Sequence, residues 1–485
     1  MKDHDCKKLS FSECELAILR MAVDKAEDKI SRRNVSSPEI KEIINVVEEF
    51  LKSKKLICYG GTAINNILPK SHQFYNKDVE IPDYDFFSYD ALNHAKELAD
   101  IYYKKGYDDV EAKAGQHHGT YKVYVNYIPV ADITQMDKEL FHSLLKESIK
   151  IGGILYAPPN FLRMSMYLEL SRPAGDISRW EKVLKRLTLL NNNYPLKNDE
   201  CYDISFQREM SNQDKEDIIF DIIKKTFIDQ NVVFFGGYAI SLYSKYMPVK
   251  LKRKLEKFAD FDVIAKDANK TAEILKERLR ENGIHHITIK KHEPISELIP
   301  VHFEIKIGKD TVAFLYEPIG CHSYNVIPEN GEKIRIATID TILSFYLAFI
   351  YINKPYYKNF RDKLLCMANF LFEVQKKNRL SQKGLLRRFS IICYGHQSSV
   401  EEIRADKSKK FNELKNKRTS KEFEEWFLNY KPYSVKEKLN QNKNYNKKTK
   451  NKNKTKKTKK TQKKSLNELI FGKQRTKKKR KTPKN

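Results

Sequence analysis

The chain repeats one plan at a steady spacing, and this limits its possible folds more than any other feature. ICYGGTAIN at residues 57–65 is answered by VVFFGGYAI at 232–240, and DYDFF at 83–87 by DFDVI at 260–264. The offset is 176 from Gly60 to Gly236, 177 from Asp83 to Asp260 and 180 from Trp180 to Phe360. A near-constant offset over so long a stretch marks an internal duplication. Each copy runs helix, apolar strand, double glycine, short helix, strand with alternating acids, helix, β-rich run and two more helices. The expected class is α+β, two tandem copies of one unit, with helical additions. The expected boundaries are a lead-in at 1–35, a first copy at 36–200, a second at 205–380 and a helical extension at 381–435 packed on the second copy. A Lys-rich tail at 436–485 has almost nothing to bury and is expected to be disordered. The helix entering the first copy begins at Ser36–Pro38. Ser36 with Glu39 as a capping box and Ser37 with Pro38 in the first turn are both open.

The chemistry-bearing residues lie between Cys58 and Asp132. Asp83 and Asp85 stand two apart on a strand, so their carboxylates share a face. Asp132 closes another β-rich run, where a neighbouring strand would bring it beside them. Acids within such apolar runs are costly to bury unpaired, and crowding raises their pKa values unless a cation neutralises them. Hard divalent ions, Mg²⁺ or Mn²⁺, suit three carboxylates. A structural ion-pair network is the plainer alternative. Gly60 and Gly61 head a short helix whose N–H groups and positive dipole end suit a phosphate, with the Thr62 hydroxyl beside them. Metal, phosphate cradle and acids together point to nucleotidyl transfer. Arg163, Arg172, Arg179, Lys182, Lys185 and Arg186 follow the third acid, and Arg172 and Lys182 are the chosen candidates for nucleotide contact. His117-His118, flanked by Gly115 and Gly119, is expected to be a hairpin turn.

Of the net charge of +28, +20 falls in residues 436–485, where 22 Lys/Arg face only Glu437 and Glu468. A mildly basic body with a strongly basic tail is expected to meet a polyanion, and nucleic acid fits better than membrane. The longest apolar run, Ile342 to Ile352, is about half of the ~20 residues a membrane span needs and is expected to be a buried helix. The N-terminus is polar and carries no signal-peptide pattern. The seven cysteines show no metal-ligand spacing, and reduced thiols in an intracellular protein are expected.

The pattern of apolar-Gly-Gly-Thr, Asp-x-Asp and a later lone Asp between apolar residues resembles the polymerase-β-type nucleotidyltransferase superfamily. ICYGGTAIN, DYDFFS, VADIT and LSRP…RWEKVLKRL resemble, more narrowly, the poly(A) polymerase catalytic subunits of large cytoplasmic DNA viruses, mimivirus-like giant viruses above all. The likeness covers most of residues 36–380. It implies two tandem nucleotidyltransferase-like domains and adenylyl transfer from ATP to RNA 3′ ends. By position, Asp83, Asp85 and Asp132 would bind two Mg²⁺ or Mn²⁺ ions, and Gly60, Gly61 and Thr62 the β/γ-phosphates. It also implies a homodimer, a viral processivity or capping partner, and a place in the host cytoplasm (the viral factory) or the virion. Other terminal nucleotidyltransferases, of CCA-adding, poly(U) or oligoadenylate type, and a noncatalytic RNA-binding scaffold are the competitors. The second copy departs from the pattern. Tyr238 replaces Thr62, LKRKLEKF is inserted before Asp260 and Asp262, and Glu304 is the sole candidate third acid. It is expected to be degenerate and noncatalytic.

Overall fold

The structure, a computed structural model, describes residues 10–76, 81–196, 201, 210, 215–249, 252, 261–295, 298–329, 331–352 and 360–433. Asp260, most of the LKRKLEKF insertion and the Lys-rich tail with its SLNELIFG stretch lie outside them. Contacts group Met1–Tyr430 into one compact unit.

The first lobe comprises α1 (Phe11–Ser36), α2 (Pro38–Lys54), β1 (Ile57–Tyr59), α3 (Gly60–Ile67), β2 (Tyr84–Ser88), α4 (Ala91–Lys104), β3 (Val110–Ala114), β4 (Thr120–Val125), β5 (Ile128–Gln135), α5 (Lys138–Glu147), β6 (Ile149–Ile151), β7 (Ile154–Tyr156), α6 (Pro159–Leu170) and α7 (Trp180–Asn193). The second comprises α8 (Glu216–Asp229), β8 (Val233–Phe234), α9 (Gly237–Tyr243), β9 (Phe261–Ile264), α10 (Ala268–Glu281), β10 (Ile287–His292), β11 (His302–Ile307), β12 (Asp310–Tyr316), β13 (His322–Glu329), β14 (Glu332–Ala337), α11 (Ile339–Phe349) and α12 (Arg361–Lys377). After them come β15 (Cys393–Tyr394), α13 (Val400–Leu414), α14 (Lys421–Phe427) and β16 (Asn429–Tyr430).

α2 starts at Ser37 with Pro38 in its first turn and no side-chain cap, which decides between the two openings. Ile40, Ile43, Val47 and Leu51 bury its apolar stripe, as a period of 3.6 requires.

Seven strands of each sheet follow the same order, and the eighth is added at opposite edges. The first runs β16-β3-β4-β5-β2-β1-β7-β6 and the second β10-β11-β12-β9-β8-β14-β13-β15. In each, the strand before the glycines pairs antiparallel with the acidic strand, which pairs parallel with the next core strand. The equivalent helices α6 and α11 pack on each other across the seam, with Phe161 edge-on to Tyr351 at 5.5 Å. Every residue of α11 is buried, which accounts for the long apolar run. Among the described residues, no helix is long and apolar enough to cross a membrane.

Two expectations are corrected. The segment after the second copy does not pack on that copy alone. β15 pairs with β13, but β16 adds a strand to β3 of the first sheet. Trp426 lies on His118 at 4.3 Å between ring centroids, Lys407 Nζ donates to the Gly115 carbonyl, and Tyr430 donates to Asp100. The β3–β4 turn that carries the two histidines is thus held by this returning segment. The cysteines, for their part, are not uniformly reduced. Cys201 is bonded to Cys366 and Cys321 to Cys393, while Cys58 is free and buried. The first pair lies 165 residues apart in sequence, beyond the reach of any local spacing rule.

Candidate active site

β1 delivers the chain to Gly60, which turns it into α3 with φ of +72°. A Cβ there would lie 2.4 Å from Asp85 Oδ2. The glycine therefore allows both the left-handed backbone and the close approach of the acid. Tyr59, the residue before α3, has no side-chain bond to the first-turn N–H groups. A Cβ at Gly61 would meet Tyr75 Oη at 2.4 Å and Arg186 Nη1 at 3.0 Å. Arg186 donates to Tyr75 at 2.7 Å and stacks on Phe74 and Tyr75. Thr62 is buried, and its hydroxyl donates to the Asp83 carbonyl at 2.6 Å. That proton is committed to tying α3 to the start of β2, a placement that differs from the expected phosphate donor.

Asp85 lies opposite Tyr59 on β1 and in register with Asp132 on β5. Asp83 precedes β2 by one residue. Burial, then the charges of Asp83 and Asp132, push Asp85 up to about 7, with Lys122 and Arg179 pulling the other way. Burial and Asp132 likewise raise Asp83, opposed by Lys122. Lys122, directly across from Asp132 on β4, bonds Asp132 Oδ2. Burial opposes its charge, yet the bond to Asp132 raises its pKa overall. Among the described residues, no three acids, histidines or cysteines are gathered as a preformed metal cluster. Asp85 and Asp132 are half-buried and Asp83 is more exposed, and three carboxylates from adjoining strands are nonetheless a donor set that fits hard divalent cations, since oxygen-only ligation and high negative charge are what such ions need.

The unfolded chain ionises Asp85 near 4, whereas the metal-free fold holds the proton to about pH 7. Between these values the folded state binds more protons, so stability is greatest at the acid end and falls as pH rises through 7. Metal-free melting curves from pH 5 to 8 are expected to show a falling Tm, worth about 2–4 kcal/mol from this group. The slope should flatten in Asp85→Asn; an unchanged slope would count against the shift.

The basic candidates separate. Arg179, the residue before α7, and Lys182 and Arg186 within it are spaced i, i+3 and i+7, and all three act on the half-buried Glu169. Arg179 also acts on Asp85, and Arg186 covers Gly61. Arg172 lies elsewhere: a Cβ at Gly320 would meet its Cζ at 3.1 Å, and its charge bears on His322. It belongs to the seam between lobes. Arg163 is fully buried and donates to Asn191, Asn160 and the Tyr194 carbonyl, a structural role. Sequence reasoning missed Lys122 and Tyr75. Alternation along KVYVNYIPVADI puts Lys122 on a definite face of β4, but its partner follows only from the β4–β5 register. A cavity of about 780 Å³ lies behind the turn, lined by Ile44, Glu48, Thr62, Asp83, Tyr84 and Tyr156. Its Tyr84 and Tyr156 hydroxyls are already paired, with Glu48 and Asn66.

The second lobe lacks the full set. Gly236 cradles Asp262 as Gly60 cradles Asp85. Tyr238 stands at the Thr62 position and bonds Glu329, which pairs with Lys224. Asp262 is in register with Phe314, not with Glu304. Glu304 lies on β11 opposite Phe314, the position Lys122 holds in the first lobe. The expected third acid of this copy is thus corrected to a phenylalanine.

Residues 45–176 match the family model described as poly(A) polymerase catalytic subunit, a span that contains the turn and all three acids. An Acanthamoeba polyphaga mimivirus protein provisionally named poly(A) polymerase catalytic subunit is 27% identical over 319 residues, 64% of this chain and 48% of that protein. A protein so named from African swine fever virus (strain Badajoz 1971 Vero-adapted) is 33% identical over 171 residues, 34% of this chain and 36% of the relative. The aligned part thus spans about half of the first relative and about a third of the second. The crystal structure of the Megavirus polyadenylate synthase superposes with a TM-score of 0.73 at 22% identity, covering 90% of this chain and 89% of that one. The two-lobed fold is shared with it.

Proposed function

We propose that the protein transfers AMP from ATP to RNA 3′ ends without a template, building a poly(A) tail. The observation that carries this reading is the register of Asp85 with Asp132 beside Asp83, under a glycine turn that leads into a helix. The family match over the same residues supports it. Asp83, Asp85 and Asp132 would hold two Mg²⁺ or Mn²⁺ ions, which when bound lower the pKa of an attacking hydroxyl and neutralise a departing pyrophosphate. The N–H groups of Gly60, Gly61 and the first turn of α3 would receive the β/γ-phosphates. Arg179, Lys182 and Arg186 would add the positive charge that holds a triphosphate in line. Arg172 is left to the seam between lobes. The second lobe, without a third acid, would serve packing and RNA contact. On the same reading the protein would act as a homodimer, with a processivity or capping partner, in the host cytoplasm or virion.

Purified protein, a labelled oligo-RNA and each NTP singly with Mg²⁺ or Mn²⁺, resolved on a gel, test the reaction. A ladder of added residues with ATP alone is expected. Extension with UTP or CTP instead would point to another terminal nucleotidyltransferase, and no extension at all to a binding protein.

A further inference from the structure

Lys122 carries an inference that rests on the metal reading of the three acids and goes beyond it. β4 and β5 set Lys122 directly across from Asp132, and its ammonium is bonded to Asp132 Oδ2. The Asp132 side chain is 17% exposed and that of Lys122 37%, so the pair bridges the sheet and the cleft. The same ammonium also acts on Asp83 and Asp85. One lysine is therefore bonded to one of the acids and lowers the charge repulsion felt by the other two.

The second lobe serves as an internal control. At the matching cross-strand pair, Phe314 replaces Asp132 and Glu304 replaces Lys122. The sheet accepts a carboxylate at that β4-equivalent position, where Glu304 bonds Thr311 at 2.7 Å and His292 at 2.9 Å. The fold thus does not require a lysine there. Lysine and acid are present together in one lobe and absent together in the other, as expected if the lysine serves the acid.

We infer that Lys122 is a tethered stand-in cation. In the metal-free protein it neutralises Asp132 and lets three acids share a small space, and an incoming divalent ion must displace it. Two like charges cannot sit on one carboxylate oxygen at close range without mutual cost, so the lysine sets a threshold against stray cations. Once displaced, its four-carbon stem lets the ammonium turn toward the cleft, where a triphosphate would receive it.

Direct Mn²⁺ binding, followed by electron paramagnetic resonance without nucleotide, tests this on wild type, Lys122→Gln and Lys122→Arg, together with metal-free Tm. Lys122→Gln is expected to bind Mn²⁺ at least tenfold more tightly, to melt lower without metal, and to recover wild-type Tm at saturating Mn²⁺. Lys122→Arg keeps the charge and should match wild type in both readouts. Lys122→Met, which keeps an aliphatic stem between the strands, gives the same comparison should the glutamine variant not fold. Equal or weaker Mn²⁺ binding by the uncharged variants would overturn the stand-in role alone. No Mn²⁺ binding by wild type or any variant would overturn the metal reading with it.

Discussion

Replacing Asp85 with asparagine is expected to cut AMP incorporation by about 10³-fold or more, equivalent to about 4 kcal/mol of transition-state stabilisation. The same change should raise the Tm of the metal-free protein. The two signs come from one position. Asp85 sits between Tyr59 and Asp132 in the sheet, against Gly60, and burial with two neighbouring acids holds its pKa at about 7. Asparagine keeps its volume and removes the charge that repels Asp83 and Asp132, so the fold relaxes. The charge it removes is also what a divalent cation would need. Activity lost together with stability gained is the signature of a site that gives up folding energy for function. Activity above a tenth of wild type, or a Tm that falls, would argue for a structural acid instead.

What the sequence makes legible here is whatever repeats at short range. Asp83 and Asp85 declare a shared face through the two-residue period of a strand, and the paired glycines declare a turn. The steady offset between Gly60 and Gly236 exposes two copies before any coordinate does. What escapes is set across strands or across lobes. Phe314 is one apolar residue among apolar neighbours, and nothing local says that it replaces an acid. Its role follows only from the β9–β12 register. Glu304, a visible carboxylate on a strand, is the natural choice by sequence, and only the register shows that it sits one strand away, opposite Phe314. Residues 400–430 follow the second copy in sequence and pack on the first in space, because β3 offers a free edge. The Thr62 hydroxyl is apparent from the sequence, but only the fold shows it turned to the Asp83 carbonyl.

The duplication also predicts how two equivalent glycines should differ in consequence. At Gly60 a methyl group would lie 2.4 Å from Asp85 Oδ2 on a backbone with φ of +72°. Gly60→Ala therefore adds left-handed strain of about 1–2 kcal/mol and drives the acid from its place. Because a displacement of about 1 Å can cost about 10²-fold in rate, turnover is expected to fall by about that factor or more. At Gly236 the methyl group would lie 2.2 Å from Asp262 Oδ2 and 2.5 Å from its Cβ, so the steric insult is at least as large. Gly236 has φ of −81°, so Gly236→Ala carries no left-handed strain and costs only the overpacking, about 1–3 kcal/mol. Asp262 faces Phe314 rather than a third acid, so on the proposed function the chemistry would have no use for its position. Gly236→Ala should thus lower Tm while leaving kcat within about twofold at a temperature where the variant is folded. Measured side by side, equal losses of turnover would mean that both lobes take part in the reaction; a loss confined to Gly60→Ala places the chemistry in the first lobe alone.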